Sequence, residues 1–242
     1  MAALPLAGYV EQLPSLHHVA LPAQPTAALE AMLSEGLPAL RLTAIRRLRH
    51  RADRVARLLA SALIVAAARR LGLPFGSQDV RYPPKAAPHW PDGPRLSVSH
   101  CAEHVVLLVG ATAVGVDIET PGSACMADLR HVLRPGALEG IGVSGPDPTE
   151  IWMQIEAAVK TGSEGIAAAS ELVFEDVRTA RLRGQRIYLH PVRCTARLTC
   201  WCAMTVPWAE DPIRVYPYTA EDLAGLLASP TDRRIPGHEG RP

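Results

Sequence analysis

Lysine is almost missing from this chain of 242 residues: its 25 basic side chains include only Lys85 and Lys160, and the other 23 are arginine. Aromatic residues are also few, at 5%, and none falls within the arginine-rich stretch from Arg41 to Arg70. Base stacking therefore has no platform there, and with a net charge of +1 the chain makes no case for binding nucleic acid or a membrane surface. Long apolar runs are absent. The longest, Leu58 to Ala68, has 11 residues including Ser61, too few to span a bilayer. The first basic residue is Arg41, so the positive lead of a secretory signal is not seen. The five cysteines are odd in number and show no Cys-x-x-Cys spacing, which argues against a disulfide framework or zinc site and for a reducing, cytoplasmic setting. No Gly-x-Ser-x-Gly elbow or acid-His-Ser ordering suggests a hydrolase triad.

The composition, 48% hydrophobic and 20% charged, describes a globular chain able to bury a sizeable core. Residues 1–25 carry Pro5, Pro14, Pro22 and Pro25 and read as an extended lead-in. A helix is expected over 51–71, then strands at Asp79–Tyr82, Leu96–Val98, Val105–Val109 and Val114–Glu119. Gly110-Ala111-Thr112 is expected to turn the last two into a hairpin. Short helical pieces at Ala124–Leu133 and Pro135–Glu139 precede a helix capped by Asp147 with Pro148 in its first turn. Strands at Leu172–Val177, Arg186–His190 and Arg197–Val206 follow, with free buried thiols at Cys200 and Cys202. A final helix, Ala220–Ala228, leads to a polar tail. The charges are polarised, with nine arginines against Asp53 between Arg41 and Arg70 and eleven acids against three bases between Asp117 and Asp176.

Two stretches carry chemistry. In Val114-Gly115-Val116-Asp117-Ile118-Glu119, strand alternation puts Asp117 and Glu119 on one face, roughly 6 to 7 Å apart at their Cα atoms. Like charges so close, flanked by apolar residues, call for a cation or a raised pKa; a solvated edge strand is the plain alternative. In Trp152-Met153-Gln154-Ile155-Glu156-Ala157-Ala158-Val159-Lys160, helical spacing makes a row of Trp152, Glu156 and Lys160. Trp152 can anchor the helix, Glu156 can add a third carboxylate and Lys160 can reach an anion; an ordinary surface Glu-Lys pair is the alternative. The strand Leu96-Ser97-Val98 runs into Ser99-His100, expected to open a short helical turn. Backbone N–H groups, the Ser99 hydroxyl and a cationic His100 would form an anion site there.

Gly115-Val116-Asp117-Ile118-Glu119 followed by Trp152, Glu156-Ala157 and Lys160 resembles the signature pair of the Sfp-type 4′-phosphopantetheinyl transferases. Ser99-His100, Lys85-Ala86-Ala87-Pro88 and Lys160-Thr161-Gly162-Ser163-Glu164-Gly165-Ile166 resemble further elements of that family, in the same order across residues 81–166. The chain departs from the family in having Ile155 where a Lys commonly precedes the helix Glu, and Pro84 where a Gly commonly precedes Lys85. Both lysines stand where the family contacts phosphate, and a crowded diphosphate suits a point charge better than a planar fork.

The resemblance implies an α+β fold of two similar subdomains, residues 26–113 and 114–218, each a small mainly antiparallel sheet packed with a long helix. Residues 219–242 would form a short helix and mobile tail. It implies a monomeric, magnesium-dependent enzyme that moves 4′-phosphopantetheine from coenzyme A to a serine of an apo carrier protein of fatty-acid, polyketide or peptide synthesis. Asp117, Glu119 and Glu156 would hold the metal, with Glu156 as ligand, base for the serine proton, or both. Arg54, Arg57, Lys85, Ser99, His100 and Lys160 would hold coenzyme A, and an acidic carrier would dock near Arg46, Arg47, Arg49 and Arg51. A catalytically silent carrier-binding relative and a metal-dependent phosphodiesterase acting on coenzyme A are the alternatives.

Overall fold

The computed structural model describes residues 13–83, 87–141, 147–162, 164–208 and 213–228. Helix α3, Arg51–Arg70, is the backbone of the first half. Its alanines and leucines favour helix, and their small or compact side chains let it be buried from Val55 to Ala68 on nearly every side except at Arg57. Helices α1, Ala27–Ser34, and α2, Ala39–Arg46, precede it and were not foreseen from the sequence. Arg54 ties α3 to α1 through Glu30, with Nε at 2.5 Å from Oε1.

A four-stranded sheet lies against α3, with order β2-β3-β1-β9. Its strands are β1, Ser15–Ala20; β2, Arg95–His100; β3, His104–Gly110; and β9, Arg214–Tyr218. All pairs are antiparallel except β1 with β9. On β3, Val105, Leu107 and Val109 face the α3 core and Val106 and Leu108 face a second core, so all five are fully buried. Part of the expected lead-in is thus an inner strand, β1. A proline count marks turns but cannot see that Leu16 and Val19 are fully buried.

The second sheet has order β4-β8-β7-β6-β5 and is antiparallel throughout. Its strands are β4, Val114–Asp117; β5, Leu172–Phe174; β6, Thr179–Leu182; β7, Gln185–Arg193; and β8, Thr199–Met204. Helix α5, Pro148–Lys160, packs on one face, opened by Asp147 accepting from the Thr149 N–H at 2.7 Å. The short helix α4, Met126–Val132, covers part of the same core. On the other face Val114, Val116, Ile118, Cys200 and Cys202 join Leu16, Val106 and Leu108 of the first sheet in a shared core. The architecture is mixed α+β, with two mainly antiparallel sheets.

Several local expectations change. β3 and β4 are not a hairpin: they belong to different sheets, and Gly110 turns tightly enough that a Cβ there would overlap the Val114 side chain. Ladder pairing of β4 stops at Asp117, short of Glu119. Asp79–Tyr82 reduces to one bridge, Arg81 with His89. β2 runs through Ser99-His100 without the helical turn, and Cys101 N–H bonds back to the His104 carbonyl at 3.0 Å. In place of a helical Pro135–Glu139, a 3-10 turn forms at Glu139–Ile141. Finally, the chain does not stay with the second sheet to residue 218. β9 returns to β1, and helix α6, Ala220–Ala228, buries Leu223, Ala224 and Leu227 in the α3 core. The tail beyond Ala228 and Lys85 lie outside the described residues.

Candidate functional site

The site begins with a missing side chain. Gly115 has no Cβ, and one built there would overlap the Ala157 carbonyl and lie 3.1 Å from the Lys160 Cβ. Helix α5 therefore rests directly on β4, with its Glu156–Lys160 row beside Asp117. Thr149 Oγ1 secures the start of the helix by accepting N–H groups of Gly122 at 3.1 Å and Ala124 at 3.4 Å.

The two sheets meet at their edge strands, β2 and β4. Ser97 Oγ accepts the Val116 N–H at 3.0 Å, and Ser99 Oγ donates to Asp117 Oδ1 at 2.6 Å. Serine hydroxyls thus stand where a backbone ladder would have closed the seam. Ser97 was missed as a site residue. Its signal was the alternation Ser97-Val98-Ser99, which sends both hydroxyls to one face.

Lys160 Nζ lies in the middle, 2.6 Å from Asp117 Oδ1, 3.3 Å from both the Val116 carbonyl and Ser99 Oγ, and 3.5 Å from Glu156 Oε2. Asp117 is 2% exposed, and its Oδ2 is buried without a partner. Burial, then the charge of Asp117 and more weakly that of Glu156, pushes the Glu119 carboxyl above its ordinary range, against the Ser123 hydrogen bond and Lys160. Three carboxylates thus share one ammonium, a set that is short of positive charge.

His100 stands at the rim. Burial, then the nearby Arg57 and Lys160 charges, hold its pKa below the usual value, while Asp53 and Asp117 oppose them. In the free protein these surroundings work against the cationic His100 that the sequence suggested. The same interactions bring Arg57 and Asp53 of α3 to this corner. Asp53 was also missed, although it is the only acid between Arg41 and Arg70.

Arg54 does not join them as an available cation. Its guanidinium is committed to Glu30 and to the carbonyls of Leu48 at 3.1 Å and Arg49 at 3.2 Å. Ile155 is fully buried, about 100° around α5 from Glu156, and its side chain packs in the core of the second sheet. Trp152 is half-buried and anchors the helix against the second core.

Among the described residues, no three His, Cys, Asp or Glu side chains are already gathered as a metal-binding group. The donor set nevertheless suits a hard divalent cation. Asp117 offers an unmet oxygen, Glu119 is held against its preferred ionisation, and oxygen ligands are what magnesium takes. Asp117, Glu119 and Glu156 would hold it, with Lys160 moving off Asp117 or sharing it. No protein-family model matches this chain, and no curated protein matches it.

Proposed function

We propose that the chain is a magnesium-dependent 4′-phosphopantetheinyl transferase acting on an apo carrier protein. The observation that carries this reading is the meeting of Lys160, Asp117 and Ser99 from α5, β4 and β2, with Glu119 and Glu156 beside them. Further support comes from the arrangement of one long helix on each mainly antiparallel sheet, α3 on the first and α5 on the second, as two similar subdomains would have it.

The reaction joins a serine oxygen of the carrier to the pantetheine-bearing phosphorus of coenzyme A. The bond from that phosphorus to the bridging oxygen breaks, and adenosine 3′,5′-bisphosphate leaves with the electron pair. Asp117, Glu119 and Glu156 would hold magnesium, which when bound would supply charge neutralisation for the phosphates. Lys160, Arg57 and His100 with Ser99 orient phosphate oxygens, and Lys85 is assigned the same task. Glu156 is half-buried on the open side of α5, where it can accept the serine proton. The exposed Arg46, Arg47 and Arg49 form a basic surface for an acidic carrier.

Mass spectrometry of an apo acyl carrier protein incubated with this protein, coenzyme A and magnesium tests the reading. One phosphopantetheine is expected on the carrier, lost with Asp117→Ala, with Glu156→Gln, or on chelation. Coenzyme A binding without transfer would identify a silent carrier-binding relative, and turnover of coenzyme A with no carrier would identify a phosphodiesterase.

A further inference from the structure

The second sheet places Asp117 but not Glu119. Pairing of β4 with β8 ends at Asp117, and β4 ends there too. Two residues further on, Glu119 lies close enough to Asp117, Lys160 and Glu156 to feel their charges, so something other than strand pairing holds it in the cluster.

The chain beyond Glu119 supplies the first half of the hold. Thr120-Pro121-Gly122-Ser123 is a tight turn, closed by the Ser123 N–H on the Thr120 carbonyl at 3.0 Å. Proline presets its second position and Gly122, at φ +78°, takes the left-handed third, as a type II turn requires. The turn folds Ser123 back on Glu119, whose Oε2 accepts from the Ser123 hydroxyl at 3.1 Å. Pro121, Gly122 and Ser123 are exposed, so burial does little to pin the turn itself.

Helix α5 supplies the second half. Thr149 Oγ1 accepts the Gly122 N–H at 3.1 Å and the Ala124 N–H at 3.4 Å, one on each side of Ser123. Thr149 is 2% exposed and its own N–H is bound to Asp147, which fixes the hydroxyl in the first turn of the helix. Glu156 follows Thr149 by seven residues, about 10 Å along the axis and within about 20° of the same face. One stripe of α5 thus grips the turn at one end and presents Glu156 and Lys160 at the other.

We propose that Thr149 is a positioning residue of the metal site: through the Gly122 and Ala124 N–H groups and then Ser123, its hydroxyl sets Glu119 in place beside Asp117 and Glu156. Carboxylate ligands are oriented by such outer hydrogen bonds, and losing one costs roughly 10- to 100-fold in metal affinity. The inference rests on the transferase reading only in taking these three acids as the metal ligands.

Manganese(II) alone is the probe, since it shares magnesium's preference for oxygen ligands and its free ion is counted by electron spin resonance. The full chain is expected to bind it, and Asp117→Asn to abolish binding. Thr149→Val keeps the branched shape and removes the acceptor, and it is expected to weaken binding about tenfold, whereas Thr149→Ser, which keeps the hydroxyl, is expected to stay within about twofold of wild type. Ser123→Ala, at an exposed position, breaks the last link without threatening the fold and is expected to weaken binding about threefold. Hydrogen exchange at the Gly122 and Ala124 amides, faster in Thr149→Val than in Thr149→Ser, reads the grip with no metal present. Wild-type manganese affinity in both Thr149→Val and Ser123→Ala would overturn this inference and leave the metal reading standing. An equal loss in Thr149→Val and Thr149→Ser would assign the effect to side-chain packing and overturn it as well. A wild-type chain that takes up no manganese would overturn the metal reading, and the role of Thr149 with it.

Discussion

Two buried polar clusters among the described residues have opposite characters. In the first sheet, His17 is fully buried between the Ser15 hydroxyl and the Tyr218 hydroxyl, each 3.1 Å from a ring nitrogen. Burial, then the charge of Arg70, pushes its pKa down to about 3, so the imidazole is neutral and both nitrogens are met. In the second sheet, Asp117 is nearly as buried but paired with Lys160, and one of its oxygens is unmet. A neutral cluster with every group satisfied holds β1 to β9 and has nothing left to offer. A charged cluster with an unpartnered oxygen and two further carboxylates has acceptors left over.

The sharpest way to break the contrast is to remove the ammonium. Lys160→Met leaves Asp117 as a buried, unpaired charge and is expected to cost about 3 to 5 kcal/mol in chemical denaturation. Adding Asp117→Asn to that variant is expected to recover much of the loss, and additive effects would show that the pair is not coupled. Gly115→Ala tests the close approach that builds the cluster. Its Cβ meets backbone rather than a flexible side-chain end, so a loss of about 3 kcal/mol is expected, the upper range for overpacking.

The neutral cluster answers to pH. Because the folded pKa of His17 is lowered from 6.5 to about 3, its contribution is fully present above 6.5 and is lost as pH falls towards 3. Between pH 7 and 5 the wild type is expected to lose about 2 kcal/mol from this group, and His17→Gln to show a correspondingly flatter urea-denaturation profile. An identical slope in the variant would assign the acid sensitivity elsewhere. The smallest effect separates two arginines three residues apart on α3. Arg57→Ala is expected to weaken coenzyme A binding about tenfold, whereas Arg54→Ala is expected to leave affinity unchanged and lower stability slightly, since Glu30 keeps only its longer pair with Arg51.

Local chemistry made much of this molecule legible in the sequence. Alanine and leucine content marked α3, the Asp147-Pro148 cap marked the start of α5, and Ala220–Ala228 was bounded as it stands in the fold. The spacing of Glu156 and Lys160, one helical turn apart, put both on the row that meets Asp117. These are properties of a few neighbouring residues, and backbone geometry transmits them directly.

Partner choice was decided only by the tertiary structure. Nothing local distinguishes β3 and β4 as a hairpin from β3 and β4 as strands of two different sheets, yet the first would have removed the seam at which Ser97 and Ser99 of β2 face β4. Nothing near residue 16 announces a strand 200 residues later beside it, and nothing near Arg54 announces Glu30. Periodicity is set by adjacent residues, whereas pairing, desolvation and the satisfaction of buried polar groups are set by whatever distant chain is brought alongside.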